Sequence, residues 1–152
     1  MRKAMEPVRI YSTDPYDWTG ILRESQSEGY GMVARLLAEY RSGANRFDAP
    51  GEALFTCLSG DVVVAVGGLN RELDEALARA GRVRRLYVMP AYRDRGLGRA
   101  LVEAVCGLAQ QHFDLLTVNV GKLKAYAFYE HLGFARVERP GITHIKELAR
   151  RR

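Results

Sequence analysis

The stretch Tyr92-Arg93-Asp94-Arg95-Gly96-Leu97-Gly98-Arg99-Ala100-Leu101-Val102 decides how the rest of the chain is read. Two glycines stand at the point where a loop passes into a helical apolar pattern. Glycine lets the backbone approach a ligand closely, and the first N–H groups of a helix have no partner within it. Those donors, with the positive end of the helix dipole, select for an anion and above all a phosphate. Arg93, Arg95 and Arg99 add charge that could pair with it.

On the upstream side, Val83 to Met89 reads as a strand stopped by Pro90. Downstream, Leu101, Ala104, Val105, Leu108 and Ala109 share a helix face, and Leu115 to Val120 is again a strand. Strand, loop, helix and strand make a βαβ unit with parallel strands and a right-handed crossover. The loop therefore sits at the carboxyl end of its strand, where open α/β sheets commonly bind ligands.

Further outward, Val8 to Ile10 is a short strand, and Asp14-Pro15 reads as the start of a helix whose apolar face is Trp18, Ile21 and Leu22. That helix should end near Gly29 to Gly31. A second carries Met32, Val33, Leu36, Leu37 and Tyr40 at helical spacing. Residues 44 to 52 combine turn formers with charge and predict an exposed loop able to reach a ligand. Ala53 to Leu58 and Val62 to Gly67 form a hairpin over Ser59-Gly60-Asp61. Asn70 to Gly81 is a polar excursion with a helical turn around Leu73 to Leu77. Near the C-terminus a short helix bears Ala125, Phe128, Tyr129 and Leu132 and stops at Gly133. Phe134 to Glu138 and Thr143 to Leu148 close the chain as an antiparallel hairpin. The predicted class is α/β with a mixed (α+β) sheet, in the order β-α-α-β-β-β-α-β-α-β-β.

The 152 residues suit one domain over 1–152, and 47% hydrophobic with 27% charged residues is an ordinary globular composition. Apolar runs such as Val62 to Val66 are too short to cross a bilayer, and no secretory h-region follows the basic N-terminus. A cytoplasmic location, away from any membrane, is the expectation. Cys57 and Cys106 are expected as buried free thiols. The net charge of +5 suits a polyanionic ligand, with the excess concentrated in Arg79 to Arg99 and in the tail Arg150 to Arg152, expected as a solvated end.

With these residues in view, the chain resembles the GCN5-related N-acetyltransferases (GNAT). The family signature, Arg or Gln, two residues, Gly, one residue, Gly or Ala, is met by Arg93, Gly96 and Gly98. A second family element, Ala-x-x-Phe-Tyr-Glu-x-x-Gly-Phe, matches Ala125, Phe128, Tyr129, Glu130, Gly133 and Phe134. The resemblance implies the acyl-CoA N-acyltransferase fold, with a splay between strands 4 and 5, and acetyl-CoA as donor without a metal. It cradles the pyrophosphate in backbone N–H groups from about Arg95 through Gly96, Leu97, Gly98 and Arg99 to Ala100, with Arg93 and Asp94 as neighbouring cofactor contacts, and pairs Leu86, Tyr87 and Val88 with the pantetheine arm. Lys122, Ala125 and Phe128 are further expected cofactor contacts. Tyr129 takes the place of the general acid to the departing thiolate, and the backbone N–H of Val88 that of the oxyanion donor.

Two positions depart from the family pattern. Lys122 stands where an Asn is common, and an ammonium cannot accept a hydrogen bond. The fourth strand offers Arg84 and Arg85 where many relatives carry a Glu that deprotonates the acceptor; Glu52 is taken as the substitute base. Arg84 or Arg85 could instead bind an acidic group on the acceptor. The acceptor pocket is expected from the first two helices, the 44–52 loop and the last hairpin. It would take a small-molecule or peptide amine, and a homodimer is compatible with the family.

Other readings fail on particular residues. Leu101 fills the third glycine position of a dinucleotide fingerprint. His112, His131 and His144 lack zinc-ligand spacing, and no Gly-x-Ser-x-Gly elbow exists. The alternatives from other classes are an acyl-CoA-binding sensor or partner-binding module that transfers nothing, and a nucleic-acid binder using the arginines, which is disfavoured.

Overall fold

The structure, a computed structural model, describes residues 5–149; the arginine tail at 150–152 and residues 1–4 lie outside the described residues. The elements run β1 (Val8–Ile10), α1 (Thr19–Ser27), α2 (Met32–Ser42), β2 (Ala53–Ser59), β3 (Val62–Arg71), β4 (Ala80–Val88), α3 (Leu97–Ala109), β5 (Leu115–Val118), α4 (Tyr126–His131), β6 (Ala135–Arg139) and β7 (Ile142–Glu147). This is the order expected from the sequence. The strands form one sheet in the order β1-β2-β3-β4-β5-β7-β6, antiparallel except for the parallel pair β4–β5.

Each sheet face is covered by its own helices. On one face α1 and α2 bury Trp18, Ile21, Val33 and Leu36 against Leu54, Val63, Val66 and Tyr87. On the other, α3 lays Leu97 and Leu101 on Cys57, Val64 and Ala65. Its later residues Val102, Val105 and Ala109 pack with Leu116, Val118, Tyr129 and Phe134. Fully burying one such aliphatic side chain contributes roughly 1.5–3 kcal/mol. Cys57 and Cys106 are buried free thiols, and burial raises the pKa of both.

Several local expectations yield to tertiary contacts. Helix α1 begins at Thr19 rather than at Asp14-Pro15, because residues 13–17 are used to dock on β3. The Asp17 N–H donates to the Asp61 carbonyl, Val63 N–H donates to Asp17, and the Trp18 indole donates to the Thr13 carbonyl. Asp17 then serves as the acceptor for the Thr19 N–H. The polar excursion is shorter than expected, since β3 runs through Arg71 and β4 already starts at Ala80. It holds no helix. Asp74 bonds the Ala76 N–H and sets an Asx-type turn instead.

The 44–52 loop is tied down rather than free. Phe47 is buried with its ring against Gly68, a position where a Cβ would collide with it. Asn45 and Asn70 exchange two side-chain hydrogen bonds.

Candidate active site

The parallel ladder between β4 and β5 is short. It pairs Ala80 with Leu115, Gly81 with Leu116 and Arg82 with Thr117, and then stops while β4 continues to Val88. From Val83 onward β4 therefore presents an edge without a β5 partner. Its polarity can be assigned by alternation. Met89 N–H donates to the Val64 carbonyl on β3, so the preceding Val88 N–H points away from β3 and into the opening. The Val88 carbonyl is taken by Arg93 Nε at 3.0 Å.

At the mouth of this opening stands the N-terminus of α3. Gly96 holds φ +80° and Asp94 φ +63°, two left-handed positions that curl the loop around a concavity of N–H groups. Intrahelical bonding reaches Ala100, whose N–H donates to Gly96 at 3.0 Å, so the N–H groups of Leu97, Gly98 and Arg99 precede it. A Cβ on Gly98 would lie 3.4 Å from the Phe128 ring and 3.8 Å from Val88 Cγ2. The loop, the end of β4 and α4 thus converge around Gly98. Arg95 stacks on Tyr92 at 5.2 Å, and Arg99 pairs with Glu103 at 2.9 Å. Both residues of that pair are exposed, so it is weak enough to yield to a phosphate.

Arg93 is used otherwise than expected. Its guanidinium forks onto Glu28, with Nη1 at 2.9 Å from Oε2 and Nη2 on Oε1, while Nε holds Val88. The Tyr87 hydroxyl donates to the same Glu28 carboxylate, and Arg93 lies 5.5 Å over the Tyr87 ring. Arg93 hydrogen bonds and the Tyr87 hydroxyl hold the Glu28 pKa down to about 2. The motif arginine therefore ties the end of β4 to the turn after α1. Tyr30 joins this group edge-on to Tyr87 at 5.9 Å, and Lys122 places its Nζ 4.1 Å from the Tyr30 ring centroid. Lys122 thereby links the β5–α4 connection to the α1–α2 turn.

Tyr129 is buried between Phe128, at 5.0 Å, and Phe134, at 5.5 Å. Burial pushes its pKa up. Among the described residues its hydroxyl has no hydrogen-bond partner, yet Arg85 Nε is the one fully enclosed side-chain polar atom without one. The Tyr129 hydroxyl therefore keeps contact with open space. Behind the ring, wholly buried His144 bonds Glu130 at 2.7 Å and Thr143 at 2.9 Å. Its hydrogen bond is the leading cause of the lowered Glu130 pKa. Ala125 precedes α4 and packs on the same cluster.

Glu52 is not brought to this place. Its carboxylate accepts from Ala49 N–H, Asn70 Nδ2 and Arg71 N–H. Arg71 pairs with Gly81, whereas Val88 pairs with Ala65 at the other end of the ladder. Seven residues of extended strand, about 20 Å, separate the two ends. The expected base is thus a structural acceptor. Glu28, Tyr30 and the Tyr87 hydroxyl were not found from sequence. Only the helix-breaking Gly29 and Gly31 around them marked that turn. Among the described residues no cluster of His, Cys, Asp and Glu could hold a metal, and no helix is long and apolar enough to cross a membrane.

Comparison with known proteins agrees with this geometry. Residues 17–134 match the family model for the acetyltransferase (GNAT) family. An inferred acetyltransferase of Exiguobacterium sp. 255-15 is 34% identical and superposes with a TM-score of 0.85, over 95% of this chain and 94% of its own. An acetyltransferase of Streptococcus agalactiae 2603, at 18% identity, gives a TM-score of 0.76 over 97% of this chain and 100% of that one. A GNAT-family acetyltransferase of Staphylococcus aureus MU50, at 17% identity, gives 0.68 over 94% and 99%. At such identities the likeness speaks for the fold alone. The comparison with curated proteins gives no match. With a family match over most of its length, a close structural relative and the open β4–β5 edge of that fold, the chain belongs to the GNAT acetyltransferase family.

Proposed function

We propose that the protein transfers an acetyl group from acetyl-CoA to a primary amine by direct attack. What supports this is the unpaired β4 edge beside the N–H groups of Leu97, Gly98 and Arg99, with α4, which carries Tyr129, reaching Gly98 through Phe128. Polar backbone groups on an interior edge call for a partner, and an amide-bearing arm lying along β4 supplies one. The N–H groups at the start of α3 then receive its pyrophosphate.

In this reading the amine nitrogen adds to the thioester carbon, and the Val88 N–H donates to the oxyanion that forms. Collapse breaks the carbon–sulfur bond, and Tyr129 donates to the departing sulfur. Because burial raises its pKa, the phenol is a donor at every working pH. Complete transfer would leave a buried tyrosinate, so its proton must be restored promptly, by water carrying the one lost from the amine. Glu28 serves poorly as the base, since Arg93 and Tyr87 hold its pKa to about 2. Water is left with that task.

Thiol release from acetyl-CoA with a panel of amines tests the reading. Turnover with at least one amine is expected, and Tyr129→Phe should lower it by about 10²-fold or more while acetyl-CoA affinity changes little. Equal loss of both, or unchanged turnover, would remove Tyr129 from the chemistry. The absence of a carboxylate at Arg84 and Arg85 favours a second reading, a module that binds acyl-CoA without transferring it. Tight binding with no thiol released by any amine would select that one.

A further inference from the structure

We propose that the acceptor of this site is an amine that also carries an anionic group, received by Arg84 with Arg85 beside it. The inference rests on the acceptor side of the transfer reading, but its binding arm stands without turnover. The face of β4 turned away from α3 carries a cluster of guanidinium groups. Arg82 pairs with Glu72 at 3.3 Å and Arg85 with Glu39 of α2 at 2.7 Å. Arg84, between them, forms no hydrogen bond or ion pair among the described residues and is half-buried. Three cations thus face two carboxylates. Burial, then Arg85 and Arg82, lowers the Arg84 pKa, while Glu39 and Glu72, each paired to another arginine, act on it in the opposite sense.

A second, independent sign stands next to it. The Arg85 side chain is only 9% exposed, and its Nε is the buried donor that lacks an acceptor. Buried donors are almost always satisfied, so an acceptor belongs there when the site is filled. A carboxylate or phosphate bound by Arg84 is suited to supply one, and guanidinium groups recognise such planar or multidentate oxygens.

The position fits an acceptor rather than the donor. Arg84 follows the last β4–β5 pair, Arg82 with Thr117, and so lies on the opened part of the strand. The α3 N-terminus, where the donor's phosphates are assigned, is on the opposite face. The β3 partners of Arg84 and Val88, Gly68 and Ala65, are three residues apart, so the two lie about 10 Å apart along the strand. An arginine side chain spans more than half of that, which leaves a short spacer of a few atoms between the acceptor's amine and its anion.

The test uses the full chain with aminohexanoate and aminohexyl phosphate, against hexylamine and diaminohexane as neutral and cationic counterparts. Thiol release from acetyl-CoA should favour an anionic amine in kcat/KM by about 10- to 100-fold, the range of one charge-assisted hydrogen bond. Arg84→Gln should collapse that preference and Arg84→Lys retain part of it, with unchanged CoA affinity showing that each variant is folded. Whichever anion leads identifies the group. Equal use of all four amines, preference for diaminohexane, or a preference that survives Arg84→Gln would overturn the inference. If no amine releases thiol, the transfer reading fails, and calorimetry on the CoA-loaded protein decides this one. Aminohexanoate or aminohexyl phosphate binding that is lost in Arg84→Gln supports it; no binding of either overturns it.

Discussion

Replacing Glu28 with glutamine tests whether the tie among Glu28, Arg93 and Tyr87 holds the end of β4. The carboxylate accepts from both terminal nitrogens of Arg93 and from the Tyr87 hydroxyl, and its pKa falls from 4.5 to about 2 on folding. Such a fall corresponds to about 3 kcal/mol at neutral pH by proton linkage. The Glu28 side chain keeps 26% of its surface exposed, and solvent screening reduces the realised value to about 1 kcal/mol. For a chain of this size that is a fall in melting temperature of about 2–4 °C. The folded pKa lies below the unfolded one. The stabilisation is therefore complete above about pH 4.5 and fades as the pH falls toward 2. Paired melts of the parent and Glu28→Gln should differ near neutrality and converge only as the pH approaches about 2. A gap of the same size at both pH values would refute the ion-pair account, as would no gap near neutrality.

Other perturbations read other parts of the molecule. Gly96→Val should abolish CoA binding, because φ +80° costs a non-glycine residue about 1–2 kcal/mol and more for a β-branched one. Gly98→Val should weaken it for another reason, a side chain thrust toward Phe128 where the cofactor must approach. Retained CoA affinity in either folded variant contradicts the cradle. Leu101→Ala, at a fully buried position on α3, should cost about 2–5 kcal/mol in denaturant unfolding. A loss under about 1 kcal/mol would mean that the layer under α3 collapses to refill the space.

The elements that repeat an apolar period were legible. The α2 and α3 helices and the β2–β3 hairpin carry their own patterns, and the entry to α3 at Gly96 and the stop at Gly133 were marked by glycine. What failed was local grammar overruled by contacts distant in sequence. Asp14-Pro15 looks like a helix start, but the chain there must first lie along β3, and Asp17 makes that contact. Glu52 looks like a free loop acid, but three donors from Ala49, Asn70 and Arg71 converge on it. Arg93 was located by its motif, but its tie to Glu28 was not. Its partner Glu28 lies 65 residues away, and no spacing rule encodes that pairing.

The bulge in β4 explains why the opening presents Val88. Before it, Val83 pairs with Leu69 and Arg84 with Gly68; after it, Tyr87 pairs with Val66 and Val88 with Ala65. One extra residue has entered β4, and Arg85 takes it up at φ +60°. A slip of one residue exchanges the faces of every later residue and turns each later N–H to the other side. Without the bulge, the Val88 N–H would be spent on β3, and Tyr87 would lie under α3, away from Glu28. The left-handed arginine costs about 1–2 kcal/mol, and its side chain is held in return by Glu39. Strain at Arg85 is therefore coupled to the site: the same backbone distortion aims the Val88 donor, places Tyr87 for Glu28, and leaves Arg84 and the Arg85 Nε without an acceptor beside the opening.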